Sequence, residues 1–308
     1  MKSPLVSVII PNYCHSDYLD KRIMSVLNQT YSNYEVIILD DFSPDNGKSK
    51  AVIEKYRNNE HVKSIVYNDF NSGSTFKQWH KGFELSSGDL IWVAESDDYC
   101  ENNMLELLVS AFQVEDDVSL AFCNSFVVDN KGVEVNKDIA CSIPEKCFDG
   151  CEFIKKHMIL GNSIWNASAV LFSKKVALSV DNIYMNYKAA GDHLFWILLS
   201  EKGKVYHINR RLNYFRQHHN KVTPAKYAEG ITIRELYNTV NYLRNKNYIN
   251  PIDNLAIANY YINETNKYDY IKPEIRDELL KLWNGNGLYN KYTLKIVRVI
   301  LKLFGRLR

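Results

Sequence analysis

Three carboxylates lie within four positions where an apolar stretch of the sequence ends. The segment is WVAESDDYC, residues 92–100, and the carboxylates belong to Glu95, Asp97 and Asp98. Neighbouring carboxylates repel one another. A hard divalent cation such as Mg²⁺ or Mn²⁺ is the expected partner, because these ions bind one or two carboxylates together with substrate phosphates. The alternative is a solvated turn that caps the helix predicted to begin near Glu101, since Ser and Asp are good caps.

The elements that would position this cluster alternate between strands and helices. Short apolar, β-branched runs predict strands at residues 5–10, 34–40, 62–67 and 89–94, separated by helical patterns at 18–28, 48–57 and 76–86. Continuous apolar strands separated by helices are typical of a parallel sheet covered on both faces. Ligands bind such sheets at the carboxyl ends of the strands.

Each of these four strands is followed by a polar segment. In chain order the segments are PNYCHSD, DDFSPDN, NDFNSGS and ESDD. Because the carboxyl ends of parallel strands meet at one edge of a sheet, the four segments predict one site of nucleotide size. A dehydrogenase would show GxGxxG after the first strand, where this chain has PNYCHS. A glycosidase needs two carboxylates that flank a sugar bond without a metal, and would leave ESDD unexplained.

The second half of the sequence changes character twice. Strand and helix signals are mixed between residues 119 and 213, and after HHNKVTP, residues 218–224, the pattern is almost wholly helical. These changes predict an α/β domain over residues 1–222, with a mixed but mainly parallel sheet, and a helical region over residues 223–308.

Net charge, cysteine content and the length of the apolar runs indicate the class of protein and its cellular compartment. A net charge of +2 over 308 residues gives no general affinity for nucleic acid, and the six cysteines contain no CxxC pair. The opening MKSPLVSVII has too short an apolar run for a signal peptide, and no later run approaches the ~18 apolar residues of a membrane span. The sequence therefore predicts a cytoplasmic protein with reduced thiols.

The order and spacing of several motifs give a more specific expectation. The motifs are VSVIIPNY, SVLNQTYSNYEVIILDDFSPD, NSGSTFKQWHKGFELSSGDLIWVAESDD and AGDHLFW, within residues 3–220. This pattern resembles the family 2 glycosyltransferases, which are inverting nucleotide-sugar enzymes of the GT-A fold. The resemblance implies transfer from a nucleotide-sugar, expected to be a UDP-sugar, to a hydroxyl of a growing surface glycan. The alternative is a non-catalytic nucleotide-binding module on the same fold, against which Asp41, Asp97 and Asp192 argue.

The resemblance assigns roles to the residues at the strand tips. It places the nucleobase against Pro11, Tyr13 and Asp41, and the ribose against Glu95 or Asp97. Apart from the resemblance, Lys77 on the predicted helix at residues 76–86 could face the phosphates, although surface lysines are common. The predicted nucleotide-binding residues are Pro11, Tyr13, Asp40, Asp41, Lys77, Glu95, Ser96 and Asp97.

The resemblance also implies a metal site and a base. Mn²⁺ or Mg²⁺ would be held by Asp97, Asp98 and a late histidine, for which His218 fits best and His219 is the alternative, and would neutralise charge on the departing nucleoside diphosphate. Asp192, at the start of an apolar helix, would take the proton of the acceptor hydroxyl. A simple helix cap is the alternative for Asp192, because acidic residues are common at helix N-termini.

Two further features are predicted to meet the acceptor. The segment NSIWNAS resembles one that lines the sugar and acceptor cleft, with Trp165 and Asn166 as the contacting residues, although Trp165 could equally be a core residue. The C-terminal residues 291–308 carry six basic and no acidic side chains, and five of the basic ones recur at helical spacing. A basic amphipathic helix of this kind favours peripheral contact with the inner face of the cell membrane, where a lipid-linked glycan would be presented. Packing of this helix on the protein is the alternative.

Overall fold

The computed structural model describes residues 3–135, 143–218, 222–267 and 271–284. One nine-stranded sheet forms its centre, in the order β3-β2-β1-β4-β8-β6-β9-β5, with β7 paired to β9. The strands are β1 (Val6–Asn12), β2 (Tyr34–Asp40), β3 (Val62–Tyr67), β4 (Leu90–Val93), β5 (Tyr99–Cys100), β6 (Val118–Val128), β7 (Lys146–Phe148), β8 (Val170–Ser173) and β9 (Lys204–Arg216).

Helices flank the sheet and continue into the second half of the chain. They are α1 (Ser16–Leu27), α2 (Lys48–Glu54), α3 (Thr75–Leu85), α4 (Met104–Val114), α5 (Gly150–Phe153), α6 (Lys174–Ala177), α7 (Gly191–Ser200), α8 (Val222–Ala228), α9 (Ile231–Asn245), α10 (Pro251–Lys267) and α11 (Pro273–Asn284). A π-helical turn at Ile154–Met158 continues α5, and 3-10 turns lie at Ala167–Ala169 and Asn182–Asn186.

The parallel half of the sheet confirms the sequence-based expectation. β1 pairs in parallel with both β2 and β4, and β2 pairs in parallel with β3. Every residue of β1, β2 and β4 is buried, as expected for strands covered by helices on both faces. The predicted bounds of β2 and β3 agree with the structure, while β1 extends through Asn12. The strand tips therefore lie at one edge.

The other half of the sheet is mixed. β8 runs antiparallel to β4 and β6, whereas β6 and β9 run parallel to each other. The two-residue strand β5 follows ESDD directly and pairs with the end of β9 through Tyr99 and Tyr214. This short pairing matters for the site, because it brings the chain after Arg216 next to the ESDD segment. Neither β5 nor β7 was predicted, since two or three residues carry no period.

Contacts between Cα atoms divide the chain into two compact units. The first contains the whole sheet and comprises Met1–Gly150, Ile164–Met185 and Leu198–His219; the second comprises Cys151–Ser163, Asn186–Ile197 and Asn220–Arg308. The described part of the chain after residue 222 is helical, as predicted, with a break at Gly230 (φ +71°) between α8 and α9. The boundary between residues 222 and 223 stays a prediction. Among the described residues, no helix combines the length and apolarity needed to cross a membrane.

Candidate active site

The polar segments after the first three strands meet through side-chain hydrogen bonds. Asn12, the last residue of β1, donates to Asp40 at the end of β2 (2.7 Å). Asn68, which follows β3, donates to Asp41 (2.6 Å). Both aspartates are buried. Three strand tips are thus joined into one polar surface, which is the arrangement that the sequence predicted.

Asp41 is the most heavily bonded group of this surface. Its carboxylate accepts hydrogen bonds from Asn68, from the backbone N–H and hydroxyl of Ser72, and from Gln78 (2.9 Å). Four donors fix the carboxylate in one orientation, as recognition of a base edge requires. Nearby in sequence, Pro11 is buried and the Tyr13 ring is 45% exposed. The assignment of Pro11, Tyr13, Asp40 and Asp41 to the nucleobase stays a prediction.

The fourth strand tip contains a group of three possible metal ligands. The ring nitrogen Nε2 of His218 lies 3.0 Å from the carboxylate oxygen Oδ2 of Asp97. His15, from the segment after β1, offers a third ligand atom, and the ligand atoms of all three residues lie within 4.8 Å of one another. The His15 ring nitrogen Nδ1 contacts the hydroxyl of Ser96 at 2.9 Å, which orients the ring.

This donor set fits one divalent cation. A carboxylate and two imidazoles are ordinary ligands for a first-row transition metal. Burial lowers the pKa of His15, against the opposing effect of Asp97, so that its imidazole is neutral and can bind a metal at neutral pH. The sequence predicted Asp97 and His218. It missed His15, because a single histidine after the first strand has no characteristic spacing to the other two.

Asp98, the neighbour of Asp97, has a different environment. Its carboxylate accepts hydrogen bonds from the backbone N–H of Arg216 (2.9 Å), from Asn166 (2.7 Å) and from Ser168 (2.7 Å). The guanidinium of Arg22, which is fully buried, lies 3.9 Å from it. Burial raises the pKa of Asp98 to about 6, with Asp97 adding to the effect. These contacts join α1, the end of β9 and the Asn166 turn, so Asp98 is placed to hold the loop that carries Asp97; its predicted role as a metal ligand stays a prediction.

Substitution of Asp98 is therefore expected to act on stability. In Asp98→Ala, the Arg22 guanidinium stays buried without its partner carboxylate, and breaking a buried pair in this way costs about 3–5 kcal/mol. Denaturant unfolding measures the change. The matched control is Asp97→Ala, which removes a partly exposed carboxylate and should leave the unfolding free energy within about 1 kcal/mol of wild type. An Asp98→Ala protein of normal stability that has lost Mn²⁺ binding would instead make Asp98 a metal ligand.

Glu95 and Lys77 have unlike surroundings. The carboxylate of Glu95 accepts a hydrogen bond from the indole N–H of Trp79 on α3 (2.7 Å), and burial raises the pKa of Glu95 to about 8. Lys77, on the same helix, is exposed and donates to the backbone carbonyl of Ser72 at 3.4 Å. The predicted contacts of Glu95 and Ser96 with the nucleotide, and of Lys77 with phosphate, stay predictions.

The segment predicted to line the acceptor cleft divides into an exposed and a buried residue. Trp165 is 54% exposed, which rules out the alternative that it belongs to the core. Asn166 is buried, donates to Asp98 and accepts from the backbone N–H of Ser168, so that it caps the 3-10 turn. The structure thus gives Asn166 a clear structural task, and a contact of either residue with sugar or acceptor stays a prediction.

Asp192 lies in the first turn of α7 in the second compact unit. Its carboxylate accepts a hydrogen bond from Asn162 (2.9 Å). Burial raises the pKa of Asp192 to about 6, although the first backbone N–H groups of the helix act in the opposite direction. A carboxyl group with a pKa near neutrality is suited to accept a proton in a reaction. Its neighbour His193 bonds the carbonyl of Met158 (2.9 Å), so its ring is used inside the unit.

Comparison with known proteins decides the family. The sequence pattern described as "Glycosyl transferase family 2" matches residues 7–167, more than half of the chain. The chain belongs to this family. It is therefore a glycosyltransferase, as the motifs predicted. It is 29% identical over 301 residues to the poly(ribitol-phosphate) beta-N-acetylglucosaminyltransferase TarP of Staphylococcus aureus, covering 95% of this chain and 79% of that protein. It is 26% identical over 226 residues to the putative teichuronic acid biosynthesis glycosyltransferase TuaG of Bacillus subtilis, covering 73% and 83%.

Solved structures with the same architecture confirm the GT-A fold. S. aureus TarS 1–349 in complex with UDP-GlcNAc has a TM-score of 0.59 at 16% identity, covering 98% of this chain and 91% of that one. The mannosyltransferase PcManGT of Pyrobaculum calidifontis, in complex with GDP-Man and Mn²⁺, has a TM-score of 0.53 at 10% identity, covering 100% and 77%. The central sheet, the flanking helices and the helical C-terminal region agree with the predicted fold class.

Proposed function

We propose that the protein transfers a sugar from a UDP-sugar to a hydroxyl of a cell-surface glycan, with a divalent metal and inversion at the anomeric carbon. The observation that carries this proposal is the group formed by His15, Asp97 and His218 at the sheet edge where the polar strand tips meet. A divalent metal site favours a nucleoside diphosphate as the ligand, because one such ion can bind protein carboxylates and substrate phosphates at the same time.

The donor is proposed to be a UDP-sugar on two grounds. TarS has been solved with UDP-GlcNAc and with UDP, which makes uracil the base to expect. In this chain, Asp41 is an oriented acceptor for the N3–H of uracil, and the exposed ring of Tyr13 can stack on the base. N-acetylglucosamine is the first sugar to test, since it is also the sugar in the name of TarP.

The cofactor is proposed to be Mn²⁺ in preference to Mg²⁺. Asp97, His218 and His15 would hold it, and imidazole nitrogen suits transition metals better than Mg²⁺, which favours oxygen ligands. When bound, the ion would neutralise the negative charge that develops on the departing UDP. The protein's own part is to orient the ligands, through the hydrogen bond between Ser96 and His15 and through the loop that Asp98 holds.

The base is proposed to be Asp192. In a direct displacement, the acceptor hydroxyl attacks the anomeric carbon while its proton passes to a carboxylate, and the bond to the UDP oxygen breaks in the same step. One carbon–oxygen bond forms as another breaks, the proton ends on Asp192, and no covalent intermediate is needed. The pKa of about 6 keeps Asp192 ionised at pH 7 but leaves it more basic than an ordinary aspartate.

A donor screen tests this proposal. Thermal unfolding is measured with UDP-GlcNAc, UDP-glucose, UDP-GalNAc and GDP-mannose, each with Mn²⁺, with Mg²⁺ and with EDTA. A ligand that binds the folded state raises its stability by mass action, about 2.7 kcal/mol at a concentration of 100 times Kd. One or more UDP-sugars with Mn²⁺ should raise Tm, and EDTA should remove the effect. Stabilisation by GDP-mannose alone, or equal stabilisation with and without metal, would overturn it.

The acceptor is proposed to be a glycan assembled at the membrane, as the sequence of the tail suggests. Residues 291–308 lie outside the described part of the chain, so this proposal rests on the sequence and on relatives named for poly(ribitol-phosphate) and for teichuronic acid. Cationic residues near an anionic surface contribute roughly 1 kcal/mol each. A protein anchored in this way would work at the inner face of the cell membrane on lipid-linked acceptors.

Truncation after Asn290 is expected to release the protein from anionic liposomes. The full-length chain should sediment with phosphatidylserine-containing vesicles at low salt and less so at 0.5 M salt, because added ions screen the attraction. The truncated chain should stay in solution and bind UDP with unchanged affinity. Failure of the full-length chain to sediment at low salt, or unfolding of the truncated one, would show that the tail is a packing element.

A further inference from the structure

A buried glutamate in the second compact unit binds three consecutive backbone amides just ahead of Asp192. Glu235 lies on α9 and is 8% exposed. Its carboxylate accepts hydrogen bonds from the N–H groups of Lys188 (2.6 Å), Ala189 (3.0 Å) and Ala190 (2.8 Å). The next residue along the chain begins α7, whose second residue is Asp192.

The three N–H groups form an anion-binding site, and the carboxylate of Glu235 is the anion that occupies it. Successive backbone N–H groups that point the same way form a concave site for a negative charge. Hydrogen bonds to an ionised acceptor are shorter and roughly twice as strong as neutral ones. Three of them to one carboxylate restrict the backbone of residues 188–190, and this backbone sets the direction in which α7 starts.

Glu235 is itself held in place within its unit. On α9, the neighbouring Arg234 makes a bidentate pair with Glu278 of α11, at 3.1 and 2.8 Å. One turn further along, the hydroxyl of Thr239 donates to the backbone carbonyl of Glu235. The glutamate therefore reaches the loop from a helix that is braced against another helix.

The charges around Asp192 single out Glu235. From the segment at residues 151–163, Asn162 contributes a neutral amide. On α7, burial lowers the pKa of His193 to about 4, so this ring is neutral at pH 7. From α9, the negative charge of Glu235 acts against ionisation of Asp192 and adds to the larger effect of burial. Glu235 is thus a charged side chain whose field acts on the Asp192 carboxyl group.

We propose that Glu235 is a positioning residue for Asp192: by binding the amides of residues 188–190, it fixes where the Asp192 carboxyl group stands. The proposal rests on the function given above, in which Asp192 is the base. It extends that function by assigning a task to α9, which fixes the start of the helix that carries the base. It also implies that the low-pH limb of the activity profile depends on the charge of Glu235, which lies outside the helix that carries Asp192.

A titration of Asp192 tests the contact without any assay of activity. Protein labelled with ¹³C at the aspartate carboxyl carbon is titrated by NMR, and the Asp192 signal is assigned by its loss in Asp192→Asn. We expect a midpoint near pH 6 in wild type. In Glu235→Gln the midpoint should move to lower pH, because removal of a nearby negative charge favours the ionised form. Glu274→Gln, which removes another exposed carboxylate of the same unit outside the Arg234–Glu278 pair, is the matched control and should leave the midpoint unchanged.

Kinetics then distinguishes positioning from mere stability. In Glu235→Gln the acid limb of the kcat profile should follow the midpoint to lower pH, and kcat should fall about 10-fold or more, since small displacements of a reacting group are costly. KM for the donor should stay as in wild type. Glu235→Asp keeps the charge but is shorter, so it should lower kcat while the acid limb stays near its wild-type position.

Each outcome bears on one assignment. An unmoved Asp192 midpoint and acid limb in Glu235→Gln, with Asp192→Asn inactive, would overturn the role of Glu235 alone. A fully active Asp192→Asn would overturn the base assignment, and the NMR titration would still report on the contact. Should the Gln variant fail to fold, Glu235→Asp decides: an unchanged kcat in that variant would contradict the proposal.

Discussion

Replacement of Asp192 by asparagine is expected to lower kcat by about 10²–10⁴-fold, the usual contribution of a general base. Asparagine keeps the shape of the side chain and an oxygen that can accept the bond from Asn162, so folding should survive. It cannot take a proton, and the acceptor hydroxyl would have to attack without help. The measurement is the rate of sugar transfer under saturating donor.

Donor binding provides the control for this variant. Calorimetry with UDP and Mn²⁺ should give the same Kd for Asp192→Asn and for wild type, since the proposed task of Asp192 concerns the acceptor. Turnover close to the wild-type rate would reduce Asp192 to a helix-terminal carboxylate that stabilises α7, which is the alternative that the sequence left open.

Replacement of Asp97 by alanine is expected to abolish the effect of metal on nucleotide binding. In wild type, UDP should bind more tightly with Mn²⁺ than with EDTA. In Asp97→Ala the two affinities should be equal, because the one carboxylate of the group with His15 and His218 is gone. Activity should fall by about 10²-fold or more, since a bound metal contributes several kcal/mol to charge stabilisation in the transition state.

A second carboxylate variant separates this effect from a general loss of charge. Asp181 is exposed and accepts a bond from the backbone N–H of Ile183, and it takes no part in the metal group. Asp181→Ala should therefore retain the Mn²⁺-dependent affinity. Equal UDP affinities with Mn²⁺ and with EDTA in the wild-type protein itself would rule out the metal assignment for Asp97.

Much of the sheet and of its site could be predicted from the sequence because the signals are local. Strands β2 and β3 are built around short apolar runs, and Asp41 and Asp97 lie in the polar segments that follow strand ends, so the topology of a parallel sheet was enough to bring these segments to one edge. His218 was predicted only through the family resemblance. Its position depends on β9 pairing with the two-residue strand β5, which no sequence pattern indicates.

Tertiary contacts decided what the sequence left open. Asp97 and Asp98 are adjacent and chemically alike, yet one meets His218 while the other meets Arg22, Asn166 and Ser168. The difference between their surroundings is seen only in the folded loop. The contact of Glu235 could not be predicted from the sequence either. Its partners are backbone N–H groups, which every residue except proline has, so no residue type marks them. The sequence of α9 predicts a helix, but it does not predict that a carboxylate on this helix binds another segment.

The most direct test of the account is release of UDP from a UDP-sugar, followed in time by the purified protein with Mn²⁺. The series includes UDP-GlcNAc, UDP-glucose and UDP-GalNAc, each with and without a poly(ribitol-phosphate) acceptor, and the variants Asp97→Ala and Asp192→Asn. We expect Mn²⁺-dependent release from at least one donor, faster with acceptor, lost with EDTA and in Asp97→Ala, and reduced to slow background release in Asp192→Asn. Release that is equally fast in EDTA, or unchanged in both variants, would contradict the account.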